Sequence, residues 1–151
     1  MTKSRPPDRP EPDPENSGTG MRAVVEILVQ DDILRARQAS RTAAAALGFT
    51  TVDQTRLATV VSELTRNALT YAGGGECRVL TRLTALERSV VIEVEDSGPG
   101  IPDVPEALTR GYSTRQSLGL GLTAVRKLMD DLTIETRPGR TLVRTGMTRR
   151  R

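Results

Sequence analysis

The chain has 151 residues, a net charge of +3 and few aromatic side chains, namely Phe49, Tyr71 and Tyr112. This length suffices for one domain with an aliphatic core, whereas the small, scattered charge surplus and the scarcity of aromatic side chains argue against nucleic-acid binding. Histidine is absent, which excludes a Ser-His-Asp triad, a zinc site with histidine ligands and a phosphohistidine formed on this chain.

The sequence shows none of the usual signals for export or membrane insertion. No apolar run approaches the roughly 18 residues of a membrane span, and no signal-peptide core follows Met1. Cys77 is the single cysteine, so no disulfide framework exists and a reducing compartment is expected. We therefore expect a cytoplasmic protein that does not contact a membrane.

Composition divides the chain into three parts. Residues 1–20 are rich in proline and charge, and they hold no large apolar side chain after Met1. Such a segment buries too little surface to offset its ordering entropy. We predict a disordered arm over 1–20, one folded domain over 21–146 and a basic tail over 147–151.

The folded part opens with a predicted strand and a predicted helix. The strand covers 24–29. Asp31 or Asp32 can cap the helix that follows, because a short acidic side chain accepts hydrogen bonds from the free amides of a first turn. Gly48 is placed to end this helix.

The second helix is predicted to begin at an Asp53 cap and to end before Gly73. The later elements are β-like stretches over 76–83 and 89–95, a short helix over 105–109, a polar segment to Ser117, a long helix over 119–131, and a hairpin with strands over 133–136 and 141–145. Helices interspersed with hairpins indicate an α/β two-layer sandwich with a mixed, mainly antiparallel sheet and three main helices on one face. A doubly wound parallel sheet fits less well, since consecutive strands are joined by short turns.

The second helix carries a carboxylate and an amide four residues apart. Its apolar residues recur at helical spacing, which places Glu63 and Asn67 together on one flank of the core stripe. Arg66, Thr59 and Thr70 are predicted on the opposite, solvent-facing side. An amide oxygen suits a hard cation such as magnesium, and a carboxylate beside it can orient or deprotonate a hydroxyl. The same two residues would also fit an ordinary solvated helix edge.

Two glycine-containing segments follow. Asp96 stands at the end of a strand, where an ionised carboxylate suits the exocyclic amine of adenine, and Gly98 and Gly100 let the backbone turn sharply beside a ligand. An ordinary surface turn remains the alternative. Gly119 and Gly121 open the third long helix, where free amides can face phosphate. This second segment is neither a Walker loop nor a dinucleotide fingerprint.

Three segments together make the chain similar to the Bergerat-fold (GHKL) ATPases: Glu63-Leu-Thr-Arg-Asn67, Asp96-Ser-Gly-Pro-Gly-Ile101 and Leu118-Gly-Leu-Gly-Leu122. Within that group the chain resembles the bacterial partner-switching proteins, which include RsbT-type switch serine kinases and RsbW-type anti-sigma factors. The similarity covers about 21–145. It departs from the family in a lid with less glycine and in a shortened Gly139-Arg-Thr141 element.

The resemblance implies a role for each matching residue. Glu63 would be catalytic, and Asn67 would bind magnesium. The nucleotide-binding set would comprise Asn67, Asp96, Gly98, Gly100, Ile101, Arg115, Gly119, Leu120, Gly121 and Thr141. Arg115 and the second glycine pair would belong to a mobile lid over ATP, and Thr141 would support the adenine site.

The resemblance also implies a function, namely an ATP- and Mg²⁺-dependent serine/threonine kinase. Its substrate would be a STAS-domain antagonist in sigma-factor or stress-response control, with a PP2C-type phosphatase or a sigma factor as further partners. The first alternative is an anti-sigma factor, although such proteins usually carry histidine where Tyr71 stands. The second alternative is a non-catalytic ATP-binding interaction module.

Overall fold

The structure is a computed structural model, and it describes residues 20–101 and 116–151, with the backbone alone over 116–120. The strands are β1 (Arg22–Ile27), β2 (Gly75–Leu83), β3 (Glu87–Asp96), β4 (Asp131–Arg137) and β5 (Arg140–Arg150). The helices are α1 (Gln30–Ala46), α2 (Thr51–Ala72) and α3 (Gln116–Leu128). The expected arm, apart from Gly20, and the expected helix over 105–109 lie outside the described residues.

The predicted α/β two-layer sandwich is confirmed. The described strands form one sheet in the order β1-β2-β3-β5-β4, and all of its neighbouring pairs are antiparallel rather than mixed. Alternate residues of β3, such as Val90, Ile92 and Val94, are buried, because one face of the sheet packs against the helices. Among the described helices, none has the length and apolar character needed to cross a bilayer.

Helix α2 lies at the centre of this packing. Leu57, Val60, Val61 and Leu64 are almost fully buried, and they recur at helical spacing as the sequence predicts. Burying a side chain of this size stabilises the fold by about 1.5–3 kcal/mol. This apolar stripe therefore fixes the rotation of α2 about its axis, which in turn fixes where its polar flank points.

The helix starts differ from the prediction. Thr50, not Asp53, caps α2, since its hydroxyl accepts a hydrogen bond of 3.1 Å from the amide of Asp53. Helix α1 begins at Gln30, and the Asp32 carboxylate accepts hydrogen bonds from the amides of Leu28 and Val29. In both cases the acidic residue lies inside the first turn, where the helix dipole also favours negative charge.

The predicted basic tail is wrong, because β5 continues through Arg150. Arg149 lies 3.1 Å from Asp53 at the start of α2 and 3.1 Å from Asp130, the second residue after α3. The amide of Thr148 also donates a hydrogen bond of 2.7 Å to Asp130. Arg149 therefore joins the last strand to the start of α2 and to the turn after α3, which the composition of this segment alone did not reveal.

Candidate active site

Glu63 and Asn67 lie on the flank of α2 that faces α3. A Cβ placed on Gly121 would stand 2.9 Å from Oε2 of Glu63 and 3.3 Å from the amide nitrogen of Asn67. The first of these distances is shorter than an unstrained contact, so any side chain at position 121 would push the Glu63 carboxylate from its observed place. The structure thus brings together Glu63, Asn67 and Gly121.

The amide of Asn67 has an unsatisfied group. Its Nδ2 atom is buried and has no hydrogen-bond partner among the described residues. Rotating the amide by 180° exchanges this donor with the carbonyl oxygen, so the position can present either a donor or a cation ligand. A buried polar atom without a partner is costly, and a ligand at this point would remove that cost.

Arg66 is exposed on the solvent-facing side of α2, as expected, but it also forms an ion pair with Glu63 that was not predicted. Its Nη1 atom lies 3.0 Å from Oε1 of Glu63. The Glu63 side chain is 28% exposed and that of Arg66 is 50% exposed, so this ion pair stands at the edge of the site. The signal was available in the sequence, because residues three apart are neighbours on a helix surface.

Asp96 ends β3 and points to the same face of the sheet as the buried Val94. Its Oδ1 atom accepts a hydrogen bond of 2.9 Å from the amide of Gly98. Burial raises the pKa of Asp96, while this hydrogen bond opposes the shift and the nearby charge of Glu95 adds to it. A carboxylate partly withdrawn from water is a strong acceptor for an amine donor.

The turn after Asp96 is held against α2 and the last hairpin. A Cβ on Gly98 would stand 2.6 Å from the Cβ of Ala72, so this contact also requires glycine. The carbonyl of Gly98 accepts a hydrogen bond of 2.8 Å from the amide of Gly139. Gly100 has a positive φ of 86°, and a Cβ there would stand 2.9 Å from the backbone of Arg137.

A pair of threonine hydroxyls lies beside this turn. Thr141 is buried and is the direct cross-strand partner of Asp96. Its hydroxyl lies 2.8 Å from that of Thr136, which also accepts a hydrogen bond of 2.9 Å from the amide of Ile101. Thr136 was not predicted as a site residue, although the predicted hairpin around residues 137–140 already places it opposite Thr141.

Helix α2 connects the two halves of the site. Asn67 faces α3, and Ala72, five residues later, contacts the turn at Gly98. At a rise of about 1.5 Å per residue these positions are about 7.5 Å apart along the helix axis. Helix α2 therefore contacts α3 at Asn67 and the turn that follows Asp96 at Ala72.

The glycine-rich start of α3 differs from the prediction. The helix begins at Gln116, so Gly119 is its fourth residue and Gly121 its sixth. Only the first four amides of a helix lack a partner within it, which leaves Gly121 as a close-packing residue rather than an amide donor. The structure gives only the backbone of Gly119 and Leu120, and Arg115 lies outside the described residues.

The described residues contain no preformed metal-binding site, since no three acidic, cysteine or histidine side chains lie close together among them. A magnesium ion here would have Asn67 as its one protein ligand, and phosphate and water oxygens would complete its coordination, as is common for Mg²⁺. The orphaned, buried amide of Asn67 fits that use.

Comparison with known proteins gives consistent matches. The family model described as "Histidine kinase-like ATPase domain" matches residues 28–147. The serine/threonine-protein kinase RsbT of Bacillus subtilis is 42% identical over 115 residues, which cover 76% of this chain and 86% of that protein. The anti-sigma F factor of Caldanaerobacter subterraneus is 36% identical over 106 residues, or 67% of this chain and 74% of that protein.

A solved structure shares the fold at low sequence similarity. It is a chain of the SiaB–SiaC complex from Pseudomonas aeruginosa, which superposes with a TM-score of 0.51 at 13% identity. The match covers 84% of this chain and 89% of that chain. It supports the architecture described above.

Proposed function

Because the chain belongs to the family of histidine kinase-like ATPase domains, we propose that it is an ATP- and Mg²⁺-dependent serine/threonine protein kinase. The observation that carries this proposal is the convergence of Glu63, the unsatisfied amide of Asn67 and Gly121 at one point of α2. Asp96 and Thr141 are cross-strand partners, and the turn that follows Asp96 contacts Ala72, the last residue of the same helix. The similarity to a serine/threonine kinase over most of its length supports the same activity.

In this proposal each end of the site binds one part of ATP. The Asp96 carboxylate accepts a hydrogen bond from the adenine amine, and the buried Thr141 hydroxyl supports the base. Asn67 would hold magnesium, which neutralises charge on the phosphates. The free amides in the first turn of α3 lie on the phosphate side.

Glu63 then acts on the acceptor. Its carboxylate orients the Ser or Thr hydroxyl of the substrate protein and takes the proton as the hydroxyl oxygen bonds to the γ-phosphorus. The bond from that phosphorus to the bridging oxygen breaks, and ADP leaves with the electron pair. Positioning and charge neutralisation provide most of the catalysis in such a transfer.

We propose a STAS-domain antagonist as the substrate, with a sigma factor or a PP2C-type phosphatase as further partners in the same control circuit. An anti-sigma factor is the second candidate, and the 36% identity to an anti-sigma F factor favours it. Tyr71, at a position where anti-sigma factors of this kind usually carry histidine, favours the switch kinase. A pull-down with a STAS-domain protein and with a sigma factor distinguishes the two functions.

The central experiment separates binding from transfer. Wild type, Glu63→Gln and Asn67→Ala are each incubated with a STAS-domain protein, Mg²⁺ and ATP, and phosphoserine or phosphothreonine is detected by mass spectrometry. We expect Glu63→Gln to bind ATP normally and to lose transfer, and Asn67→Ala to lose Mg²⁺-dependent binding. A wild-type protein that binds ATP but transfers no phosphate would instead favour the non-catalytic module. Equal activity of all three proteins would show that this edge of α2 is merely solvated surface.

A further inference from the structure

The ion pair between Arg66 and Glu63 differs from the similar pairs elsewhere in the helices. Two other arginines lie three residues after a carboxylate: Arg35 after Asp32 and Arg56 after Asp53. In those pairs the carboxylate is only 10% exposed and is also held by other groups, either backbone amides or Arg149. The arginine is therefore an additional partner there and does not fix the carboxylate by itself.

Glu63 is held in a different way. Among the described residues, Arg66 is the only group that hydrogen-bonds its carboxylate, at 3.0 Å to Oε1. The second oxygen, Oε2, faces Gly121, where a Cβ would stand 2.9 Å away. The two oxygens of one carboxylate thus have different surroundings, a guanidinium on one side and the cleft beside α3 on the other.

We propose that Arg66 is a positioning residue for Glu63, an inference that rests on the kinase activity proposed above. Arg66 occupies Oε1 and so leaves Oε2, on the cleft side, as the oxygen that receives the hydroxyl of the acceptor. An exposed arginine pair contributes little to folding stability, because water screens the charges and two long side chains must be ordered. Its effect is therefore expected in the transfer step rather than in the stability of the protein.

The experiment is a double-mutant cycle on phosphate transfer to the STAS-domain protein. Arg66→Ala should lower kcat about threefold to fivefold, because a free glutamate samples several rotamers and only one suits the transfer. The KM for ATP should stay within about twofold, since Arg66 is not assigned to the nucleotide. In a Glu63→Gln background, the same change should not lower the slow residual transfer rate any further. Arg66→Lys should recover part of kcat.

Arg56→Ala provides a matched control on the same helix. Arg56 has the same spacing to its carboxylate and a similar exposure of 45%, but it lies at the other end of α2. This variant should keep the kcat of wild type, and all variants should melt within a few degrees of it.

Several results would overturn the inference. An unchanged kcat in Arg66→Ala would show an ordinary surface pair, and an equal fall in both backgrounds would place Arg66 in a task unrelated to Glu63. A raised KM for the substrate protein with unchanged kcat would make Arg66 a docking residue instead. Absence of any transfer by wild type would refute the proposed kinase activity itself. That result is distinguishable from failure of the positioning role, which is judged only by comparing the variants with an active wild type.

Discussion

Replacing Gly121 with alanine should separate folding stability from catalysis. The new Cβ would stand 2.9 Å from Oε2 of Glu63, about 0.5 Å inside an ordinary van der Waals contact. The neighbour is the end of a flexible side chain, so the carboxylate can move aside at a cost of about 0.5–1.5 kcal/mol. Alanine inside a helix gains about 0.8–1 kcal/mol over glycine, and the two effects nearly cancel.

We therefore expect Gly121→Ala to unfold in urea at nearly the wild-type midpoint and yet to transfer phosphate at least about tenfold more slowly, because the displaced carboxylate no longer meets the acceptor. Ala124→Gly, in the same helix, is the matched control: it should lose about 0.8–1 kcal/mol of stability and keep its transfer rate. Urea titration gives the free energy of unfolding, and transfer to the STAS-domain protein gives kcat. Full activity in Gly121→Ala would refute the close approach of α3 to Glu63 or the role of that carboxylate.

Three further variants or ligands test other parts of the site. Asp96→Asn should weaken ATP binding about tenfold or more by calorimetry, because the charge-assisted acceptor is lost. Since burial raises the pKa of Asp96, its ionised form destabilises the folded state, and Asp96→Asn should therefore raise the urea midpoint at pH 7. This gain in stability should shrink as the pH falls from the raised pKa toward the ordinary value of 3.8, because Asp96 then becomes neutral in the wild type as well. A gain that does not change with pH would contradict this cause. Thr136→Val removes the acceptor of the Ile101 amide and the partner of Thr141, so the free energy of unfolding should fall by about 1 kcal/mol, whereas no loss would mean that water replaces both bonds. The phosphorylated STAS-domain partner, or its Ser→Asp form, should bind more weakly than the unmodified form in a titration, because about −1.5 to −2 charge units are added near Glu63 and the ATP phosphates; equal or tighter binding would argue against release by phosphorylation.

Local patterns in the sequence were sufficient for much of the architecture. The helical spacing of Leu57, Val60 and Leu64 fixed which side of α2 is buried, and therefore that Glu63 and Asn67 share a flank. The position of Asp96 at a strand end followed from the alternation of the residues before it. These features depend on neighbours within one helix or strand, so the order of residue types is enough to predict them.

Other features depended on how distant segments pack. The sequence predicted amide donors at Gly119 and Gly121, but the start of α3 at Gln116 makes Gly121 a contact residue instead. The basic end of the chain was predicted as a tail because its composition is polar. In the structure it belongs to β5, and Arg149 forms a hydrogen bond with Asp53, 96 residues earlier in the chain.

The sequence alone thus determined that Glu63 and Asn67 lie together on the polar flank of α2 and that Asp96 ends β3. Only the tertiary structure decided that α3 passes so near to Glu63 that a side chain at position 121 would displace its carboxylate, and that the turn at Gly98 lies against Ala72. The physical reason is that periodicity acts over one turn or one strand pair. Close approach between elements instead depends on the combined volumes of all the side chains between them, which no short stretch of sequence contains.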